Sequence, residues 1–448
     1  MNFRNKSVAA LAGVSALSMA LAGCGGASAS DSDKPTLSSE PVTITLDWWG
    51  SDTRVKLTEA AVQRFMKANP NITVEMINAD WGGYWDKLNT SIAGGNAPDV
   101  MQMDESYLST YATQGSLYDL SKVSDYLDLS NMDESNKKAG QIDGVQVAAE
   151  TSVTLAGVIV NMNILDELGL ELPDATKWTW DEFEDFAQQI VDKSGGKYTG
   201  VSPTFGGYDF QMWQRQHGVR SMFEGNKVSV DKDLLAEYMQ KAYDWTHGTN
   251  PIAGSTDRWS ENFSAVNGTL ADSDMAKGTQ AMSIGSGGLT SQLSQYAKAA
   301  GHDNFVIVPM PLTEGGESNY YYMKPGMYWS ISTTSEHPAE AARLIDFLIN
   351  DEETGAEFGT DRGIPANNKI REKLNASASE NDKKLFAFVD QMSKLTGAEN
   401  PDPTPNGGSS ATNVLLRKMQ DVVFGRSSAA DAAAQFISEL QTELDNVA

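Results

Sequence analysis

Residues 42–76 constrain the fold of this chain more than any other stretch. Val42, Ile44, Leu46 and Trp48 alternate with Thr43, Thr45, Asp47 and Trp49, the period-two pattern of a strand. Gly50-Ser51-Asp52 breaks that strand. Val55, Val62, Phe65 and Met66 then share one face of a helix that stops near Asn69-Pro70. Ile72, Val74 and Met76 alternate again. Strand, helix and strand in succession make a β-α-β unit, which favours a parallel sheet with helices on its faces.

The same mixture continues to the C-terminus. Residues 84–93 read as a helix ended by Gly94-Gly95, and residues 98–103 as a short buried strand. Residues 153–162 form an apolar, β-branched run that suits one central strand. Thr179 and Glu182 fit a capping box opening a helix whose apolar face is Phe183, Phe186 and Ile190. Residues 305–308 read as a strand closed by Pro309 and Pro311. Pro338 opens a helix carrying Ala341, Leu344, Ile345 and Leu348. Phe436, Leu440 and Leu444 repeat every four residues in a last helix, behind a Pro/Gly-rich loop at 401–408. Strands and helices are interleaved without an internal repeat, so the fold class is α/β.

The N-terminus carries an address. Arg4 and Lys6 precede an uncharged stretch, residues 8–23, that is shorter than the ~20 residues needed to span a bilayer. Small residues then lead to Cys24, the only cysteine. A basic start, a short apolar stretch and small residues at the cut describe an export signal. Leu21-Ala22-Gly23-Cys24 resembles the lipobox of bacterial lipoproteins. The resemblance implies that residues 1–23 are a signal peptide. It also implies that Cys24 is diacylated and holds the protein on the outer face of the cytoplasmic membrane. A secretory signal with an incidental cysteine and a transmembrane helix are the competing readings. Residues 24–40, rich in Gly and Ser, read as a flexible linker spanning roughly 20–25 Å on average.

Without residues 1–23, 32 Lys and Arg face 60 Asp and Glu, a net charge of −28. Such a chain repels nucleic acid and anionic lipid; a solvated acidic surface is enough to explain it. The remaining 425 residues exceed one ordinary core and suggest two domains. With no cysteine after Cys24, neither disulfides nor cysteine-ligated zinc contribute.

Several segments read together. They are Trp48-Trp49-Gly50, residues 84–88 (YWDKL), residues 93–100 (AGGNAPDV), residues 277–282 (KGTQAM), residues 343–348 (RLIDFL) and residues 362–366 (RGIPA). In this order they resemble the extracellular solute-binding proteins of carbohydrate ABC transporters, the maltose-binding-protein-like group. The resemblance implies a type II periplasmic-binding-protein-like fold: two lobes of mixed sheet flanked by helices, with a hinge crossed three times. The crossings fall near Glu150-Thr151, Lys324-Pro325 and Ile364-Pro365. Lobe 1 is then 41–151 plus 326–365, and lobe 2 is 152–325 plus 366–448. The resemblance also implies a monomer without a cofactor or metal. It would capture an oligosaccharide in the cleft, close around it and deliver it to a membrane permease.

A neutral sugar needs fixed donors and acceptors for its hydroxyls and flat rings for its C–H faces. In open α/β sheets, ligands sit beyond the carboxyl ends of strands. Trp49, Asp52 and Arg54 follow the first strand; a core ring, a helix cap and a solvated charge are the plainer roles for them. Trp81 lies in a loop beside Gly82-Gly83 and suits sugar stacking. Asp104 and Glu105 end the third strand, where the family lines its cleft, or where acids suit a helix N-terminus. Thr151, Ser152 and Thr154 lie at the first crossing, where the family often presents a polar side chain; Thr154 is the candidate carried forward. Residues 205–213 are the most aromatic stretch of the second lobe. They offer Tyr208, Asp209 and Trp213, with core packing as the alternative for Trp213. Gly285-Ser286-Gly287-Gly288 is a turn near whose end some relatives carry a stacking Trp; this chain has Gly288. Tyr328 and Trp329 follow the second crossing.

Signs of catalysis are weak. Sixty carboxylates would permit a glycosidase pair, yet an acidic exported surface gives the same count. His217, His247, His302 and His337 are scattered, and no H-E-x-x-H, G-x-S-x-G or P-loop occurs. Asp272-Ser273-Asp274 begins like a calcium loop, but Lys277 stands where the turn needs glycine. Three function classes stand: a sugar receptor for an ABC importer, an exported carbohydrate-active enzyme, and a receptor for a non-sugar solute or an adhesion protein. The resemblance favours the first.

Overall fold

The computed structural model describes residues 34–50, 52–202, 207–267, 270–285, 289–316, 320–393 and 403–447. Cys24 and the residues before it, Phe205-Gly206 and the residues Ser286-Gly287-Gly288 lie outside the described residues.

The strands in chain order are β1 (Val42–Trp49), β2 (Ile72–Ala79), β3 (Val100–Met103), β4 (Gln141–Ile142), β5 (Val145–Gln146), β6 (Ala149–Thr154) and β7 (Gly157–Asn161). They continue with β8 (Thr199–Ser202), β9 (Phe223–Glu224), β10 (Lys227–Val228), β11 (Gln280–Gly285), β12 (Phe305–Val308), β13 (Lys324–Ile331) and β14 (Ile364–Pro365). A six-stranded sheet runs β14-β6-β13-β3-β1-β2, and a four-stranded sheet runs β12-β7-β11-β8. β4–β5 and β9–β10 are separate two-stranded ribbons. The expected β-α-β unit is present: β1 lies parallel to both β2 and β3, with helix α1 (Asp52–Ala68) between β1 and β2.

Alternation along β1 sets the layers. Ile44, Leu46 and Trp48 point to one side and pack with Phe65 of α1 and with Leu344 and Ile345 of helix Pro338–Asn350. Trp49, the next residue, points the other way. It joins Met101, Met103 and Tyr328 beneath helices α2 (Trp81–Ala93) and α3 (Glu105–Thr113). The four-stranded sheet carries a separate, larger core that includes Val158, Val160, Phe183, Ile190, Phe436, Leu440 and Leu444. The molecule is therefore a two-lobed α/β protein of mixed sheets flanked by helices.

The run at 153–162 is two strands rather than one. β6 belongs to the six-stranded sheet and β7 to the four-stranded one, with Leu155-Ala156 between them. Both strands are buried on both faces, so periodicity cannot tell them apart. Gly157 opens β7, and a Cβ there would meet the Val308 carbonyl at 3.1 Å and the Phe388 ring at 3.0 Å. The return pass enters β13 at Lys324, and β14 adds a short edge to β6.

The linker also departs from expectation at its end. The Ser38 amide donates to the buried Glu340 carboxylate at 2.6 Å, and Asn71 Nδ2 donates to the Ser38 carbonyl at 3.4 Å. The polar composition of 34–40 conceals this, because the holding contact comes from a distant helix.

The capping box forms as expected. Glu182 N donates to Thr179 Oγ1 at 3.2 Å, and Thr179 N donates to Glu182 Oε2 at 2.9 Å. Thr179→Ala is expected to cost about 1 kcal/mol of stability, measured by urea denaturation.

Candidate functional site

β1, β2 and β3 are parallel, so their carboxyl ends open on one edge of the six-stranded sheet. Behind β2, Asp80 caps α2 by accepting from Gly83 N at 2.8 Å. That cap draws Trp81 into the first helical position instead of a loop. Trp81 is 42% exposed, and among the described residues it is the one exposed tryptophan. Edge-on contacts hold it: its ring centroid lies 5.1 Å from Trp49, 5.4 Å from Trp85 and 6.2 Å from Tyr107. Trp85 and Tyr107 stack at 3.7 Å and 12°. An apolar ring presented to solvent on an aromatic bed suits a C–H face of a solute.

Behind β3, Asp104 caps α3 by accepting from Ser106 N at 2.9 Å. Glu105 follows and pairs with Lys324 Nζ at 3.0 Å. Burial raises the Glu105 pKa, with Lys324 opposing and Asp104 reinforcing. Burial acts against the charge of Lys324, but Glu105, Asp104 and Glu150 more than offset it and raise its pKa. Glu150 lies on β6, opposite Tyr328 of β13, and is buried. Burial pushes its pKa well up, with Asn136 opposing and the charge of Glu105 reinforcing.

The four-stranded lobe brings its own rings to this point. Tyr208 donates its hydroxyl to the Tyr322 carbonyl at 2.8 Å, and the two rings meet edge-on at 5.2 Å. Tyr322 donates to Gln211 Oε1 at 2.5 Å. Burial raises both tyrosine pKa values, and the negative charge of Glu105 adds to each. Glu105 therefore lies within electrostatic reach of both lobes.

The other candidates lie as follows. Trp49 is buried within the aromatic group. Asp52 is the exposed first residue of α1. Arg54 is tied to Asp361, with Nε 2.8 Å from its carboxylate and Nη2 2.8 Å from its carbonyl. Thr154 is buried at the end of β6. Asp209 and Trp213 are buried in helix Gly207–Gln216, where Trp213 packs 5.4 Å from Trp180. Tyr328 and Trp329 are buried on opposite faces of β13. The arrangement thus places Trp49 and Trp81 in one aromatic group, Asp104 and Glu105 at the start of α3, Thr154 opposite Lys324, and Tyr208 against Tyr322. It holds Arg54 against the Asp361 loop, Trp213 inside the four-stranded lobe and Trp329 on the far face of the six-stranded sheet. Sequence reasoning misses Tyr107, Tyr322, Glu150 and Lys324 as site residues. Tyr107 is within its reach, since it sits one helical step past the Asp104-Glu105 pair.

Among the described residues, no group of three or more His, Cys, Asp or Glu could hold a metal ion. A surface concavity of about 500 Å³ lined by Phe65, Tyr126, Arg343 and Asp346 shares no residue with this cluster.

Two α/β lobes joined by adjacent strands, with an exposed ring past the carboxyl ends of parallel strands, are the architecture of a solute receptor. Residues 60–387 match the family model described as bacterial extracellular solute-binding protein, and the chain belongs to that family. The diacetylchitobiose binding protein DasA of Streptomyces coelicolor is 24% identical over 98% of this chain and 99% of its own. The maltodextrin-binding protein MdxE of Bacillus subtilis is 24% identical over 89% and 87%. In fold, the chain matches the periplasmic oligogalacturonide binding protein of Yersinia enterocolitica, solved with saturated digalacturonic acid. That match has a TM-score of 0.75 and 23% identity, covering 90% of this chain and 99% of the other.

One buried acid under the site gives a pH test. Asp47 lies on the Trp49 side of β1, and burial pushes its pKa up to about 6 against the pull of Lys87 and the Trp48 amide. The folded state then holds this proton more tightly than the unfolded one, so stability is lost as pH rises from about 4 through about 6. Asp47→Asn should remove that loss. Thermal melts should show the variant more stable at pH 7, on the order of 1–3 kcal/mol, with the gap closing near pH 4.

Proposed function

We propose that this protein captures an oligosaccharide between its two lobes and presents it to the permease of an ABC importer, while Cys24 anchors it to the membrane. The observation that carries the reading is Trp81, an exposed ring on an aromatic bed that includes Tyr107 of the helix Asp104 caps and Glu105 opens. Rings match the C–H faces of a pyranose and carboxylates accept from its hydroxyls. The family membership and the sugar ligands in the names of two relatives support it. A cationic solute such as a polyamine fits less well, because the Lys324 ammonium already occupies Glu105.

The lobes close when a sugar makes more contacts in the closed state than in the open one. The protein acts as a receptor, so the sugar leaves uncleaved. Trp81, Asp104, Glu105, Tyr208 and Thr154 are the residues proposed to touch it.

Calorimetric titration against malto-, chito- and galacturono-oligosaccharides, with spermidine as control, tests the reading. Heat with at least one sugar, no product on chromatography and a more compact scattering envelope are expected; silence across the sugars sinks it. Trp81→Ala should weaken binding by about 1–3 kcal/mol and leave the melting temperature nearly unchanged. Cys24→Ala should shift the protein from the membrane fraction to the medium and abolish incorporation of labelled fatty acid.

A further inference from the structure

The two strands that carry the chain between lobes place an unusual set of polar groups side by side. Lys324 opens β13 directly opposite Thr154, the last residue of β6. Lys324 Nζ has three N–H donors. One faces the Glu105 carboxylate at 3.0 Å and one the Pro325 carbonyl at 3.2 Å. No other described residue accepts from Lys324. Among the described residues, the buried Thr154 hydroxyl has no hydrogen-bond partner. A buried polar atom left unpaired costs about 1–3 kcal/mol, so this hydroxyl opposite an incompletely used ammonium marks a place built to receive a polar group.

Access fits as well. The side chains of Lys324 and Glu105 keep 16% and 23% of their surface open. Glu105 is next in sequence to Asp104, whose charge reaches Tyr107, and Tyr107 touches Trp81. A solute lying on Trp81 therefore extends towards this pair.

We propose that Lys324 and Glu105 act together as a reader of two neighbouring sugar hydroxyls, making Lys324 a specificity-determining residue. The inference rests on the sugar reading above. An ammonium and a carboxylate 3.0 Å apart present a donor and an acceptor at close to the spacing of adjacent hydroxyl oxygens on a pyranose. One hydroxyl accepts from Lys324 while its neighbour donates to Glu105. The pair also sets the ligand's charge. A uronate carboxylate drawn to Lys324 meets Glu105 and Asp104, and Arg54 is already tied to Asp361. Neutral sugars with a free vicinal diol are favoured, and galacturonate oligomers are rejected.

The test is a specificity map. Whichever panel sugar binds the full-length mature protein is compared with its monodeoxy analogues by calorimetry. In the unaltered protein, removing either of two adjacent hydroxyls should weaken binding by about tenfold. Lys324→Met should weaken the parent sugar by about tenfold, with its melting temperature within a few degrees. It should also erase the penalty at that hydroxyl pair, which a purely structural role would leave intact. Glu105→Gln should erase it too, and decides the question by itself if Lys324→Met fails to fold. Unaltered discrimination in a folded variant, or galacturonate oligomers binding as tightly as neutral ones, overturns the diol reader but leaves the sugar reading standing. No binding of any sugar overturns both.

Discussion

Three strands lie next to one another at one edge of the six-stranded sheet: β14, β6 and β13. Their backbone hydrogen bonds are the constraint on which the architecture depends. Each belongs to a segment separated from the others by long stretches of chain, and each lies where the polypeptide leaves or joins this sheet. Antiparallel pairing of β13 and β6 fixes Lys324 against Thr154 and Tyr328 against Glu150. Gly326 and Gly363 permit the close approach, since a Cβ on either would strike Ser152. Ser152 in turn donates its hydroxyl to the Arg362 carbonyl at 2.5 Å, tying the β14 approach to β6. A small hydrogen-bonded ribbon thus runs through the junction of the lobes.

The same ribbon gathers charge where burial makes charge expensive. Glu105, Glu150 and Lys324 are drawn from α3, β6 and β13; Lys324 is perturbed by both acids, and Glu105 acts on Glu150. An ion pair in such a place contributes little net stability, because desolvation offsets most of the attraction. Its value lies in orientation: Lys324 is held at one point, with Glu105 fixed beside it. The aromatic bed under Trp81 works in the same way. Trp49, Trp85 and Tyr107 immobilise a ring that would otherwise lose rotamer freedom on binding.

Much of this is legible in the chain. The alternation of 42–49, the capping box at Thr179 and the fourfold repeat of Phe436, Leu440 and Leu444 are local patterns, and local patterns predict local structure. Trp81, Asp104 and Glu105 are legible because each lies just past the carboxyl end of a strand. The features that escape a reading of the chain are set by distant partners. Residues 153–162 look like one strand because both sheets bury their middle strands equally. Lys324 looks like a hinge marker because its importance comes from Glu105, more than two hundred positions earlier in the chain. Ser38 looks like linker because Glu340 lies about three hundred residues away.

The attachment of Ser38 to Glu340 has a mechanical meaning. Helix Pro338–Asn350, which carries Glu340, packs against the six-stranded sheet. Tension arriving along the backbone ahead of Ser38 is borne by that lobe. The four-stranded half meets that lobe through the ribbon and through helix Asn368–Ser377, which packs against helices of both halves, so a pull at Ser38 reaches it second-hand, through those joints.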